Sequence, residues 1–188
     1  MVGVNGITKN NVGYDFSLRK ENDSSYGSQE STRTEAYYLF NPNLRFALSN
    51  STGFRNPSLY ETFDSTYGTR TLTPETTETN RISISGKSKI LNAGYSLNAY
   101  KSKISNLIAS ASGTYIYYNA NGETNISGIE GNINSQLGKK LFSNFGFATT
   151  HKKTSDNKKN QLLPRYSLSG SLNYIFDEAF NLNTNFSY

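Results

Sequence analysis

Strict alternation of apolar and polar residues constrains this chain more than any other feature. From Tyr166 to Phe176, one side carries Tyr166, Leu168, Gly170, Leu172, Tyr174 and Phe176. The other side carries Arg165, Ser167, Ser169, Ser171 and Asn173. Leu182, Thr184, Phe186 and Tyr188 oppose Asn181, Asn183, Asn185 and Ser187 in the same way. So do Val12, Tyr14, Phe16 and Leu18 against Gly13, Asp15, Ser17 and Arg19, and Ile129, Gly131, Ile133 and Leu137 against Glu130, Asn132, Asn134 and Gln136. Successive side chains of a β-strand point to opposite faces, so each segment has one apolar and one polar wall. Helical spacing is scarce, and period two dominates.

The pattern predicts nine strands, at roughly 11–20, 30–40, 43–54, 76–87, 91–109, 122–137, 141–155, 162–176 and 180–188. The connections alternate in length. Asn41-Pro42-Asn43, Lys87 to Ile90, Gly138 to Lys140 and Asp177 to Ala179 are short; 21–29, 55–75, 110–121 and 156–161 are long. This is the signature of an up-and-down antiparallel meander with one rim trimmed and the other elaborated. A soluble sandwich also alternates, with its apolar face inward. A transmembrane barrel reverses the sense, apolar to lipid and polar to a wet interior. Strand length favours the barrel. Several expected strands exceed the usual five or six residues of a globular sheet, and about 9–11 tilted residues cross a bilayer. Aromatic residues near expected strand ends, including Phe40, Phe142, Tyr174, Phe176, Phe180 and Phe186, resemble interfacial girdles.

Composition narrows the function classes. The 188 residues amount to one domain. The mean hydropathy of −0.62 alone would suggest a soluble protein, yet there are 14 Tyr and 11 Phe among abundant Ser and Asn. The absence of Cys excludes a disulfide framework and thiolate metal sites, and the single His151 excludes a multi-His zinc site within the chain. The net charge of +5 is scattered, as in Lys152-Lys153 and Lys158-Lys159, and leaves no nucleic-acid footprint. No run of 18 apolar residues suggests a membrane helix, and Met1 to Val4 is not a signal peptide. Hence the chain is either cytosolic or a piece of a longer protein. His151, Ser155 and Asp156 lie within a few residues on a strand end without a nucleophile elbow. Asp23, Glu61 and Asp64 lack the spacing of a calcium loop. No catalytic residue, resident metal or cofactor is expected.

Five motifs carry a family resemblance. Gly53-Phe54-Arg55-Asn56-Pro57-Ser58-Leu59 resembles the loop entry of TonB-dependent outer-membrane receptors, with Asn56 where the family usually has Ala. "LTPETTETNRISISG" from Leu72 resembles the family's opening of the returning strand, with Arg81 and Ser83 departing from its usual Glu and Gly. "NAYKSKISNLI" is similar to a family strand ending Asp-Leu-Ile, Asn106 replacing Asp. "YYNANGETNISGIEGNI" supplies Tyr118, Asn119, Gly122, Gly128 and Glu130, and Leu163-Pro164-Arg165 resembles a further strand opening. The motifs stand in family order over about residues 31–188, and the set is most similar to receptors for cobalamin and ferric siderophores.

The resemblance implies an all-β, antiparallel up-and-down transmembrane barrel in the outer membrane of a Gram-negative cell. About nine strands of a larger, 22-stranded wall would be present, without a plug domain in this chain. Residues 1–188 are then an internal fragment of the barrel domain, whose last strands lie beyond Tyr188. It also implies partners: outer-membrane lipid, the plug of the same parent protein, a small metal-chelate ligand, and TonB with its inner-membrane complex through a missing N-terminal segment. No nucleic acid is expected. A passive diffusion porin and a soluble β-rich binding or adhesion module are the alternatives.

Arg55, Tyr60, Tyr67, Tyr115, Tyr117 and Tyr118 are the candidates for ligand or plug contact, because rings in long loops can stack on a flat chelate or corrin-like ligand. Arg55 has two readings: a fixed cation for plug or anionic ligand, or a turn-stabilising side chain bonded to nearby carbonyls and carboxylates. Pro57 lacks an N–H, so strand pairing should stop near it. Glu130, Asn132, Asn134, Arg165, Ser167 and Ser169 are the expected lumen-facing polar wall, since a carboxylate in lipid is costly.

Overall fold

The computed structural model describes residues 1–154, 164–177 and 180–188. Its frame is a ten-stranded antiparallel sheet. The strands are β1 (Val2–Ile7), β2 (Val12–Asp23), β3 (Gly27–Asn41), β4 (Leu44–Arg55), β5 (Glu75–Ser88), β6 (Ala93–Ser105), β9 (Glu123–Gln136), β10 (Leu141–Thr154), β11 (Tyr166–Ile175) and β12 (Asn181–Ser187). Each pairs with the next in chain order, apart from an excursion between β6 and β9. That excursion holds a small separate ribbon, β7 (Ile108–Ser110) with β8 (Tyr117–Asn119). One short helix, α1 (Leu59–Phe63), lies between β4 and β5.

Register keeps like with like across the sheet. Tyr14, Ala36, Leu48, Ile82, Ala99 and Ile129 follow one another through successive pairings on one face. Asp15, Glu35, Ser49, Arg81, Tyr100 and Gly128 do so on the other. The burial has the reverse sense of a water-soluble sheet. Along β5 and β6 the apolar-face residues Ile82, Ile84, Leu97 and Ala99 are exposed, whereas Arg81, Ser83, Asn98 and Tyr100 are half-buried. Ile82 is 50% and Leu97 45% exposed, and among the described residues the buried apolar side chains are only Ala47, Leu72, Ala93 and Ile108. A sheet this wide with an open apolar face and an occluded polar one has its apolar solvent outside. No described helix is long and apolar enough to cross a membrane.

Glycines and rings lock the pairing. Gly13 faces Tyr37, Gly86 faces Tyr95, Gly128 faces Tyr100, Gly131 faces Phe147 and Gly170 faces Phe186. In each pair the ring lies over the glycine, in the space a Cβ would fill. Aromatic cover of strand glycines is a register device of curved sheets.

The structure corrects four strand expectations. β1 adds a strand where none was read, because the run from Val2 to Ile7 is short and lacks a polar partner row of its own. The expected long link 21–29 shrinks to Ser24–Tyr26, since the Asp23 carboxylate accepts the N–H groups of Ser25 and Tyr26 and turns the chain at once. The expected strand 91–109 breaks after Ser105, where Asn106 takes a left-handed φ of 55°. The long links 55–75 and 110–121 contain α1 and β8. The expected link 156–161, the first residues of the strand expected at 162–176, and Ser155, Asp156 and Leu163 lie outside the described residues.

Candidate functional site

The elaborated rim is organised around the segment that follows β4. Ser58 caps α1: its side chain accepts the Glu61 N–H, while the Glu61 carboxylate accepts the Ser58 N–H at 2.7 Å. This reciprocal box is encoded by Ser-x-x-Glu and satisfies backbone donors that would otherwise be orphaned. The chain then returns, with Gly68 and Thr69 donating to the carbonyls of Asp64 and Glu61. Asp64 accepts from the N–H groups of Thr66 and Tyr67, tightening the turn.

Arg55, the last residue of β4, ties this segment to its neighbours. Its guanidinium donates to both oxygens of Glu61, at 2.8 and 3.1 Å, and to both oxygens of Glu75, at 3.0 Å each. Glu75 also accepts the Ile108 N–H at 2.6 Å, so one ion cluster reaches β4, α1, β5 and β7. The two carboxylates are 13% and 12% exposed, the arginine side chain 45%. Hydrogen bonds that Arg55 donates to Glu75 and then to Glu61 raise its pKa further above its already high value. Burial pushes the Glu61 carboxyl up, but the hydrogen bonds from Arg55 and Ser58 outweigh it and hold Glu61 below its ordinary value. The Ser25 and Tyr26 N–H groups likewise lower Asp23.

A second seam joins the two long loops. Tyr117 N–H donates to the Tyr67 carbonyl at 2.9 Å, and the Thr69 hydroxyl donates to the Tyr117 carbonyl at 2.6 Å. The Asn119 amide donates to the carbonyls of Thr73 and Asn106 and accepts the Thr73 N–H. The β2–β3 turn joins the same body, through Asn56 to Asp23 and Tyr26 to Thr62, both at 3.2 Å. Buried Leu72 and Ile108 give this cap a small apolar core.

Tyrosines decorate the cap. Tyr60 meets Tyr117 edge-on at 6.1 Å, and Tyr67 meets Tyr115 edge-on at 6.4 Å. Tyr115 is 64% exposed at the tip between β7 and β8, with a left-handed φ of 59°. Tyr118 sits in β8 opposite Ala109. The two Tyr–Tyr contacts thus gather four of the expected rings, while Arg55 is occupied by carboxylates. Sequence reading missed Glu61, Glu75, Thr69, Thr73 and Asn119 as the residues that hold the cap. The Ser-x-x-Glu box was a readable signal for Glu61, and Glu75 and Asn119 stand within the family motifs; nothing local marks Thr69 or Thr73 for this role.

Of the expected polar wall, Glu130, Asn132 and Ser167 are half-buried, whereas Asn134 is exposed. Glu130 pairs with Arg81 at 3.3 Å across the intervening β6, over the Tyr100 ring. Asn134 donates to Asn132 at 2.6 Å. Ser167 is half-buried and Ser169 exposed on β11, and Arg165 is exposed just before that strand.

With this geometry in place, the comparisons decide the family. A family model described as "TonB dependent receptor-like, beta-barrel" matches residues 5–188. The chain belongs to the TonB-dependent receptor β-barrel family. Proteins named vitamin B12 transporter BtuB are similar in sequence. The one from Vibrio cholerae serotype O1 is 35% identical over 114 residues, 61% of this chain and 18% of that protein. The one from Photobacterium profundum is 30% identical over 124 residues, 62% of this chain and 20% of that protein. The siderophore receptor PirA from Pseudomonas aeruginosa superposes with a TM-score of 0.74 at 17% identity, over 94% of this chain and 34% of that one. The ferripyoverdine receptor of the same organism's outer membrane gives 0.72 at 15%, over 97% and 27%. The chain therefore spans about a fifth of the curated relatives it matches. Members of this receptor family are outer-membrane β-barrels of Gram-negative bacteria, receptors and transporters rather than enzymes, and this chain is a sector of such a wall, not closed on itself.

Proposed function

We propose that the chain supplies wall strands and extracellular capture loops to a receptor that takes up a scarce metal chelate, with cobalamin the favoured ligand. The observation that carries this reading is the tyrosine-bearing cap. Tyr60, Tyr67, Tyr115 and Tyr117 offer ring faces and edges on a preformed body, which suits stacking on a broad, flat ligand. Arg55 offers no free charge to a highly anionic chelate, because two carboxylates neutralise it. Tyr118 contributes through the β7–β8 ribbon. The similarity to vitamin B12 transporters supports the same choice.

On this reading Glu130, Asn132, Asn134, Arg165, Ser167 and Ser169 face the barrel interior and the plug of the parent protein. Energy arrives from TonB and its inner-membrane complex through that plug. The test is calorimetric binding of cyanocobalamin and of a ferric siderophore to the full-length receptor. Saturable cobalamin binding, weakened about tenfold by losing one stacked ring in Tyr115→Ala, is expected. Binding of the ferric chelate alone would overturn the ligand assignment.

A further inference from the structure

The polar face is divided by charge. On β2 to β5 it carries fixed ions. Glu35 accepts from Arg33 at 3.3 Å and from Arg45, which also lies over the Tyr37 ring at 4.2 Å. Asp15 stands opposite Glu35, and Arg81 reaches Glu130 at 3.3 Å. Beyond Glu130 toward the trimmed rim, the polar face of β6 and β9 to β12 carries no ionisable side chain among the described residues. Two complete rows show this. One runs Ser96, Asn132, Gly146, Ser169 and Ser187; the next runs Gly94, Asn134, Asn144, Ser171 and Asn185. No side chain in either is larger than that of asparagine. Followed the other way, the first row reaches Ser85 and Arg45, and the second reaches Lys87.

Three amides close a ring in the middle of these rows. Asn132 donates to Asn144 at 3.5 Å, Asn144 donates to Asn134, and Asn134 donates to Asn132 at 2.6 Å. A primary amide has two N–H groups and two acceptor lone pairs, so each of the three keeps one of both for a guest. Beside the ring a bowl of about 690 Å³ opens at the trimmed rim. Asn134, Asn144, Ser171, Asn173 and the Phe142 ring line it, with Lys87 and Lys89 at its β5 side. Asn173 has its side-chain oxygen buried without a hydrogen-bond partner. A guest N–H that reached this oxygen would remove a standing penalty.

A path through a barrel must attract enough to admit its cargo and hold weakly enough to release it. Neutral amide hydrogen bonds meet that need, because each is traded against water at little net gain. Charge-assisted ones are about twice as strong and would detain the cargo. We propose that an uncharged ligand bearing primary amides passes along the neutral face of β6 and β9 to β11, with the bowl as its last station before the trimmed rim. The basis is the cobalamin reading above, because a corrin carries carboxamides around its periphery. The half of the wall on β2 to β5, with its fixed ions, lies off the path.

The test uses the full-length receptor in energised cells and two labelled ligands: cyanocobalamin, and a derivative with one amide hydrolysed to a carboxylate. Uptake is compared with surface binding in cells treated with a protonophore, and heat-modifiable gel mobility verifies that each variant is folded. Ser171→Asp should slow the carboxylate at least about fivefold more than cyanocobalamin, and Ser171→Lys should shift the uptake ratio in the opposite sense. Surface binding of both ligands should stay at the wild-type level. Ser85→Asp, on β5 beside Arg45, should leave the uptake ratio unchanged. Equal slowing of both ligands in the Ser171 variants would assign the face to the plug alone and overturn the proposal. An unchanged ratio in those variants, or the same shift in Ser85→Asp, would overturn it too. Loss of the passage with cyanocobalamin binding intact would leave the ligand assignment standing; a wild type that binds no cyanocobalamin would overturn both.

Discussion

Replacing Arg55 by Gln removes the cation shared by Glu61 and Glu75 while keeping much of the side chain's length. Both carboxylates are nearly buried, and each keeps a backbone N–H partner, from Ser58 and from Ile108 respectively. Two adjacent carboxylates would then face each other without a counter-charge. Breaking a fully buried ion pair costs about 3–5 kcal/mol. Arg55 is nearly half exposed, so water screens the loss, and about 2 kcal/mol is the reasoned cost here. At about 1.4 kcal/mol per factor of ten, that is roughly a thirtyfold rise in the open population of the cap. The cost is local, because the ten-stranded sheet keeps its own ladder. Amide hydrogen exchange on the full-length receptor reads it directly. Exchange at Ile108 and Tyr117 should quicken about thirtyfold, with the amides of β9 and β10 unchanged. Unchanged protection at Ile108 would refute the clamp, and uniform acceleration through the sheet would refute its local character.

Other outcomes follow from the same structure. Leu168→Arg places a charge on the outward apolar face and should cost about 2–4 kcal/mol in unfolding from lipid vesicles, with Ser169→Arg costing much less. Gly128→Ala drives a methyl into the Thr149 carbonyl and under the Tyr100 ring, and should cost about 1–3 kcal/mol. Gly53→Ala, with open space at the added methyl, should be near neutral by the same unfolding measurement. Because Glu61 is held below its ordinary value of 4.5, its contribution to the cap is complete above that pH and is lost as pH falls through the depressed value. Exchange at Ser58 and Glu61 should therefore quicken only on acidification below about pH 4.5, and Glu61→Gln should abolish that dependence.

Much of the frame was legible because its rule is local. Alternation alone places Tyr14, Ile129 and Leu168 on one wall and Glu130 and Ser167 on the other, and register in the structure preserves that division. The sense of the division, apolar side open, needed strand length and the family motifs as well. The cap was less legible for a physical reason. Arg55, Glu75 and the Ile108 N–H are 20 and 33 residues apart in the chain, and only tertiary pairing brings them together. Asn119 bonds across 46 residues. The strand break at Asn106 depends on one left-handed residue, which periodicity does not register. The Ser58–Glu61 box was local and readable, and its helix follows from it.

The central claim is that the apolar face meets lipid and the polar face meets the barrel interior. The chain has no Cys, so single cysteines can be placed along β6 of the receptor and spin-labelled in lipid vesicles. Oxygen, which partitions into the hydrocarbon, should broaden labels at positions 95, 97 and 99 and spare those at 96, 98 and 100, and the oxygen effect should fall sharply at 101 and 103. Oxygen accessibility in the opposite phase, or without a two-residue period, would contradict the account.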